Sequence, residues 1–241
     1  RRFVYNWALK LKIEVYEHEK KSVSYKTVQD IMVNELKKDK QWLNEVNSQA
    51  LLNSIRNLDT AFKNFFRDTH AVGFPKLKSK KDRQSFQCPQ HCVVDFGKGT
   101  ITIPKVKDIP AVFHRKFKGT VKTVTISMTP SRKYFASVLV DTDIEELPVT
   151  PIHDDTCLGI DLGIKSLAVC SDGRTFDNPK NLRRSLDRLK LLQKRLSRKK
   201  KGSANRNKAR IRVARLHEHI ANCRKDNLHK ITYALTHDSQ V

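Results

Sequence analysis

Long hydrophobic runs are missing from this chain. No window approaches the roughly 18 consecutive apolar residues that a membrane-spanning helix needs, which excludes such a helix. Nor is there a charged-then-apolar leader ending in a small-residue cleavage site. The five cysteines are odd in number and widely spaced over 241 residues, so they do not make a disulfide framework. A glycine-rich phosphate loop and a Ser/His/Asp constellation are both missing. Acidic residues are scarce, with 25 Asp plus Glu against 48 Lys plus Arg, a net charge of +23. These absences leave a soluble, intracellular and strongly basic chain. Its 38% apolar residues fall in periodic clusters, and its length suits one or two compact units.

So large an imbalance predicts attraction to a polyanion, and nucleic acid is the commonest one inside a cell. The charge is concentrated: residues 181–241 carry 18 Lys plus Arg and 4 Asp plus Glu. A solvated helical face or a ribosomal-type tail is the alternative, but a solvated face normally mixes both signs.

The first 70 residues read as a helical bundle. Val4, Ala8, Leu11 and Val15 recur at helical spacing, with Phe3 and Trp7 widening the stripe. Ser24 is an N-cap candidate for a helix carrying Val28, Ile31, Met32 and Leu36. Leu51, Ile55, Leu58, Phe62 and Phe65 mark a third helix, and three such stripes bury one another. The spacing fits a helix-turn-helix reader and a plain scaffold equally. Trp7, Phe62, Phe65 and Phe66 read as core rather than as base-stacking platforms.

At Gly73-Phe74-Pro75 the pattern changes, and a basic run follows at 76–83. Cys92–Phe96 and Thr100–Ile103 flank Gly97-Lys98-Gly99 as a hairpin. Residues 123–128 and 134–140 alternate around a turn at 129–132, so 84–140 reads as an antiparallel sheet or small barrel. An acidic, proline-containing linker is expected at 141–155, with a domain boundary there. Beyond it, residues 157–173 read as two strands joined by a turn. Residues 181–236 then form a helical hairpin broken at Gly202-Ser203. Leu182, Leu186, Leu189, Leu192 and Leu196 line one helix; Ala209, Val213, Leu216, Ile220 and Cys223 line the other. Arg198, Lys199, Lys200, Lys201, Arg206, Lys208 and Arg210 crowd its tip, with Arg195 close by.

Gly159-Ile-Asp161-Leu-Gly163 sets a carboxylate in an apolar strand. A buried charge needs a partner or a cation, and Mg²⁺ takes hard oxygen ligands. The alternative is an Asp that closes the strand by bonding backbone N–H groups. Cys88, His91 and Cys92 offer three zinc-ligand types without a second cluster, and ordinary strand cysteines explain them better. His217 and His219 lie two apart on a helix, about 200° around it, and cannot chelate one ion. Cys157, Cys170 and Cys223 read as small core residues.

Several blocks recur in a fixed order: Phe3-Val-Tyr-Asn-Trp-Ala-Leu9, Phe74-Pro-Lys-Leu-Lys-Ser-Lys-Lys81 with Ser85-Phe-Gln87, and His114-Arg115. They continue through Gly159–Lys165, Ala168–Gly173, Leu196–Gly202 and Arg224–Lys230. In their order and spacing they resemble the TnpB/OrfB family of insertion-sequence proteins, relatives of the nucleases in type V CRISPR effectors.

The resemblance implies an α+β multidomain fold in three parts. These are a helical recognition bundle (1–70), a wedge β-barrel (71–148) and an RNase H-like RuvC domain (149–241), incomplete and carrying the hairpin. It also implies a cytoplasmic, nucleoid-associated prokaryotic protein that uses guide RNA to direct Mg²⁺-dependent cleavage of target DNA. Asp161 matches the first RuvC carboxylate and metal ligand. Lys76, Lys78, Lys80, Lys81, Lys165 and the cations of the tip are the expected nucleic-acid contacts. The second and third carboxylates and the family's zinc ribbon have no match here, and the first barrel strand is missing. The expectation is therefore a fragment at both ends that does not cleave DNA alone, or a non-catalytic remnant that still binds nucleic acid. A basic structural protein would explain the charge but not Asp161.

Overall fold

A computed structural model describes residues 1–67, 71–142 and 157–237. Most of the acidic linker expected at 141–155, with its boundary, lies outside the described residues. Two compact units emerge: Arg1–Thr129 with Tyr134–Ile144, and Pro130–Lys133 with Glu145–Val241.

In the first unit, helix α1 spans Arg2–Glu19 and α2 spans Tyr25–Ile31. Ser24 caps α2 as its sequence suggested, its Oγ accepting from the Thr27 N–H at 3.1 Å. The helix runs on through a wide π turn, Met32–Leu36, into the short α3, Lys37–Asp39. A 3₁₀ turn at Gln41–Glu45 leads to α4, Ser48–Arg67. Val4, Leu9, Val28, Met32, Leu43, Leu51, Ile55 and Leu58 form the core of the bundle.

The stripe of α1 is turned by one residue from the expected one. Tyr5 and Leu9 are buried beside Val4 and Ala8, whereas Leu11 and Val15 are half-buried. Phe3 is 40% exposed and sits edge-on to Trp42, 5.2 Å between ring centres. Trp7 is half-buried and packs against the edge of the same core.

Six strands follow. These are β1 (Gln84–Cys88), β2 (Val93–Asp95), β3 (Thr100–Ile103), β4 (Val106–Pro110), β5 (Thr120–Met128) and β6 (Tyr134–Asp141). They form two antiparallel sheets, ordered β1-β5-β6 and β2-β3-β4. The expected barrel does not close among the described residues. Closure needs an unbroken ladder with a fixed stagger, and no described strand bridges the two sheets. They pack instead through Cys88, Ile101, Ile103 and Val124.

Polar bonds join the helices to these sheets. Asn53 Nδ2 donates to Gln87 Oε1 at 2.6 Å, and Arg1 bonds the Ser85 carbonyl. The Asn6 side chain brackets Lys78, accepting from its N–H at 2.8 Å and donating to its carbonyl at 2.9 Å.

The second unit holds β7 (Ile160–Leu162), β8 (Ser166–Cys170) and β9 (Thr175–Asp177), antiparallel in that order. Helices α5 (Asn181–Ser197) and α6 (Ala204–Thr236) form the hairpin. Leu189, Val213, Leu216 and Ile220 bury its seam, flanked by Leu192 and Leu196. Leu182, by contrast, is exposed. No helix among the described residues is long and apolar enough to cross a membrane.

Candidate nucleic-acid interface and the Asp161 position

The hairpin tip is built by two local devices. Gly202 adopts φ +84°, which lets the chain reverse, and Ser203 caps α6 by accepting from the Arg206 N–H at 3.1 Å. The Arg206 guanidinium then turns back and donates to the Leu196 carbonyl at 3.0 Å and the Lys199 carbonyl at 2.8 Å. Leu196 lies in the last turn of α5 and Lys199 two residues beyond its end, where helical donors run out; the Leu196 carbonyl also accepts from the Lys199 N–H at 3.1 Å. Arg206 is therefore a structural brace of the tip, half-buried, and differs in this from its neighbours.

Arg198, Lys199, Lys200, Lys201, Lys208 and Arg210 are exposed, as is Arg195 on the last turn of α5. None of them is ion-paired to an acidic side chain among the described residues. A solvated helix face relieves its own charge, as Lys230 does with Asp226 four residues away at 2.8 Å. The tip has no such relief. Its shape and charge suit a polyphosphate backbone.

The run at 76–83 is less uniform. Lys76, Lys80 and Lys81 are exposed. Lys78 is tied to Asn6 through its backbone, and its Nζ lies 3.9 Å from the centre of the Tyr5 ring. Burial is the main cause holding the Lys78 ammonium below its ordinary pKa, with Arg1 adding to it. Of the four lysines singled out by sequence, Lys78 is the one used to dock the run on α1.

Asp161 is placed differently from expectation. It lies in β7 opposite Val169, but the whole strand is exposed, with Leu162 at 77% and Ile164 in the following turn at 89%. Among the described residues nothing hydrogen-bonds or ion-pairs its carboxylate. Asp161 is thus not a buried charge among the described residues. Apolar neighbours in sequence do not bury a strand unless another layer covers it. The turn beside it is tight, since a Cβ on Gly163 would sit 2.9 Å from the Ser166 carbonyl oxygen. Lys165, in the same turn, is exposed.

The acid that is engaged nearby is Asp172. It accepts from the Arg174 backbone N–H at 2.9 Å and from Arg174 Nε at 2.6 Å. The backbone bond foremost holds its pKa below the ordinary carboxylate value. Arg174 also donates to the Ala234 carbonyl at 2.8 Å, fastening the β8–β9 turn to α6.

One carboxylate does not make a metal centre. The described residues contain no group of three or more His, Cys, Asp or Glu side chains able to hold an ion, and so do not fit a two-metal site. Cys88 and Cys92 lie together, and Cys157, Cys170 and Cys223 lie far from them in sequence. Cys88 and Cys170 are buried, Cys92 and Cys223 half-buried, and Cys157 is exposed rather than in the core. Burial pushes the Cys88 thiol up to about 11, and Cys92 donates to the Cys88 carbonyl at 3.4 Å.

Replacing Asp161 with Asn is expected to change stability by less than about 0.5 kcal/mol, the range for exposed surface sites. Denaturant unfolding checks this; a loss above about 2 kcal/mol would mean that the carboxylate holds an internal partner.

Two features escaped the sequence reading. One is a cavity of about 550 Å³ at the base of the hairpin, lined by Leu167, Pro179, Leu182, Arg183, Arg224 and Leu228 among others. The other is the exposure of Phe74 and of Phe66, which at 72% exposed does not lie in the core as its spacing suggested. Nothing in residue spacing tells an outward ring from an inward one at the margin of a core.

Residues 137–240 match the OrfB_IS605 family, described as "Probable transposase". Over 237 residues, 98% of the chain, it is 34% identical to "Putative RNA-guided DNA endonuclease InsQ" of Escherichia coli (strain K12). Over its full length it is 35% identical to "Putative RNA-guided DNA endonuclease" of Streptomyces pristinaespiralis. The chain spans 57% of the length of the first relative and 59% of the second. With ordered motifs, a family match and this identity all in agreement, the chain belongs to the TnpB/OrfB family of insertion-sequence proteins.

Proposed function

We propose that this chain is the nucleic-acid-holding portion of an RNA-guided DNA endonuclease and engages both guide RNA and target DNA. The observation that carries the reading is the hairpin tip, where six exposed cations lack acidic partners among the described residues. The names of the two relatives, which align along almost the whole chain, point the same way. On this reading the tip meets the backbone of an RNA–DNA hybrid and reads shape and charge rather than bases. Lys76, Lys80, Lys81 and Lys165 add phosphate contacts.

Asp161 is proposed as one oxygen ligand to a divalent cation, Mg²⁺ by its hard-oxygen chemistry. In the whole nuclease that ion would supply charge neutralisation at the cleaved phosphate. Exposure suits such a role, because a carboxylate that awaits further ligands must be accessible to them.

Binding of the chain to a 20-bp RNA–DNA hybrid tests the reading. If the six cations each neutralise one phosphate, log K falls against log[salt] with a slope of about −5. A slope near zero would contradict it.

A further inference from the structure

We propose that Phe66 and Phe74 form a stacking platform for unpaired nucleotides of the RNA, with Lys76, Lys80 and Lys81 beside it to take the adjoining phosphates. The proposal rests on the nucleic-acid reading above and deepens it by naming a second contact, of a different kind from the hairpin tip.

The starting observation is a cluster of four rings at the end of α4 and the start of the basic run. Phe62 is anchored: it packs on the bundle core, and Lys12 Nζ lies 5.4 Å from its ring centre. Phe66 stacks on it at 6.3 Å with 20° between planes, and Phe65 meets Phe66 edge-on at 5.2 Å. Phe74 closes the set, edge-on to Phe62 and to Phe65 at 5.5 Å each. The outer members are not buried. Phe66 is 72% exposed and Phe74 46%, and Leu77, three residues after Phe74, is exposed too.

Rings held in place from beneath and open above are what a base needs for stacking, because every base offers a π face. The charge around the patch selects the occupant. Arg67 and Lys76 flank the two exposed rings in sequence, and Lys80 and Lys81 follow, all exposed. An apolar protein partner would have to desolvate those cations, whereas a polynucleotide brings phosphates to them. RNA is the source of choice because a folded RNA presents unpaired loops, whereas bases in a DNA duplex stay stacked and out of reach.

The test measures binding of the chain, as wild type and as Phe66→Ala, Phe66→Leu and Phe66→Trp. The ligands are an RNA hairpin with an eight-nucleotide uridine loop, a DNA duplex, the same duplex with an eight-nucleotide bubble, and a 20-bp RNA–DNA hybrid. Phe66→Ala and Phe66→Leu are expected to weaken loop RNA about tenfold with an unchanged salt slope, since no charge is removed. Phe66→Trp should bind it at least as tightly as wild type, and duplex DNA should be indifferent to all three.

Equal loop binding by Phe66→Leu and wild type would overturn the proposal, showing that apolar area rather than an aromatic face is at work. A larger loss on bubble DNA than on loop RNA would overturn the assignment to RNA. Because Phe66 is largely exposed, the variants should melt with the wild type, and a circular-dichroism melt checks this. If wild type holds the hybrid while the Phe66 series leaves loop RNA unchanged, only the platform fails. If wild type binds none of the ligands, the nucleic-acid reading falls with it.

Discussion

Replacing Lys199, Lys200 and Lys201 together with alanine should lower affinity for an RNA–DNA hybrid by about two orders of magnitude at about 0.15 M salt. The salt slope should flatten by nearly three units. All three side chains are exposed and have no acidic partner among the described residues. Nothing internal is lost when they go, so the effect falls on the complex. They follow the C-terminus of α5, where positive charge favours the helix dipole, so the fold itself should lose no more than about 1 kcal/mol.

Arg206→Ala is the instructive contrast. That side chain satisfies the Leu196 and Lys199 carbonyls, so its loss should loosen the tip before it removes a phosphate contact. An unchanged salt slope in the triple variant would move the interface away from the tip.

Leu51→Ala should cost the first unit about 3 kcal/mol, within the usual span for a fully buried leucine. Leu51 is completely buried in α4, in one cluster with Val4, Ile55 and Leu58. The bundle is small and has little slack with which to refill the space. α4 also carries Asn53, which bonds Gln87 of β1, so the strain should reach the sheet. Chemical denaturation followed at two wavelengths, one for helix and one for aromatic packing, measures this. A change below about 1 kcal/mol would contradict the placement of Leu51 at the centre of the core.

The elements legible in sequence were those whose stabilising pattern is local. The spacing from Leu51 to Leu58 marked the buried face of α4, and Ser24 announced the start of α2 through its cap. The glycine turn between β2 and β3 and the alternation of β5 and β6 gave two hairpins.

What could not be read depends on partners far away in the chain. β1 is mostly polar, Gln84-Ser-Phe-Gln-Cys88, and is a strand because it pairs residue for residue with β5. Asp161 looked buried because its neighbours are apolar, but burial is a property of layers, and no described layer covers β7. Arg206 and Lys78 looked like two more basic residues, and only their bonds to carbonyls or to Asn6 and Tyr5 set them apart.

Hydrogen–deuterium exchange of the chain with and without a 20-bp RNA–DNA hybrid addresses the central claim most directly. Backbone amides of the turn at 198–203 and of the first turn of α6 should slow when the hybrid is added, and slow less as salt is raised. Protection confined to other segments, with 198–206 exchanging at the same rate in both samples, would contradict the account.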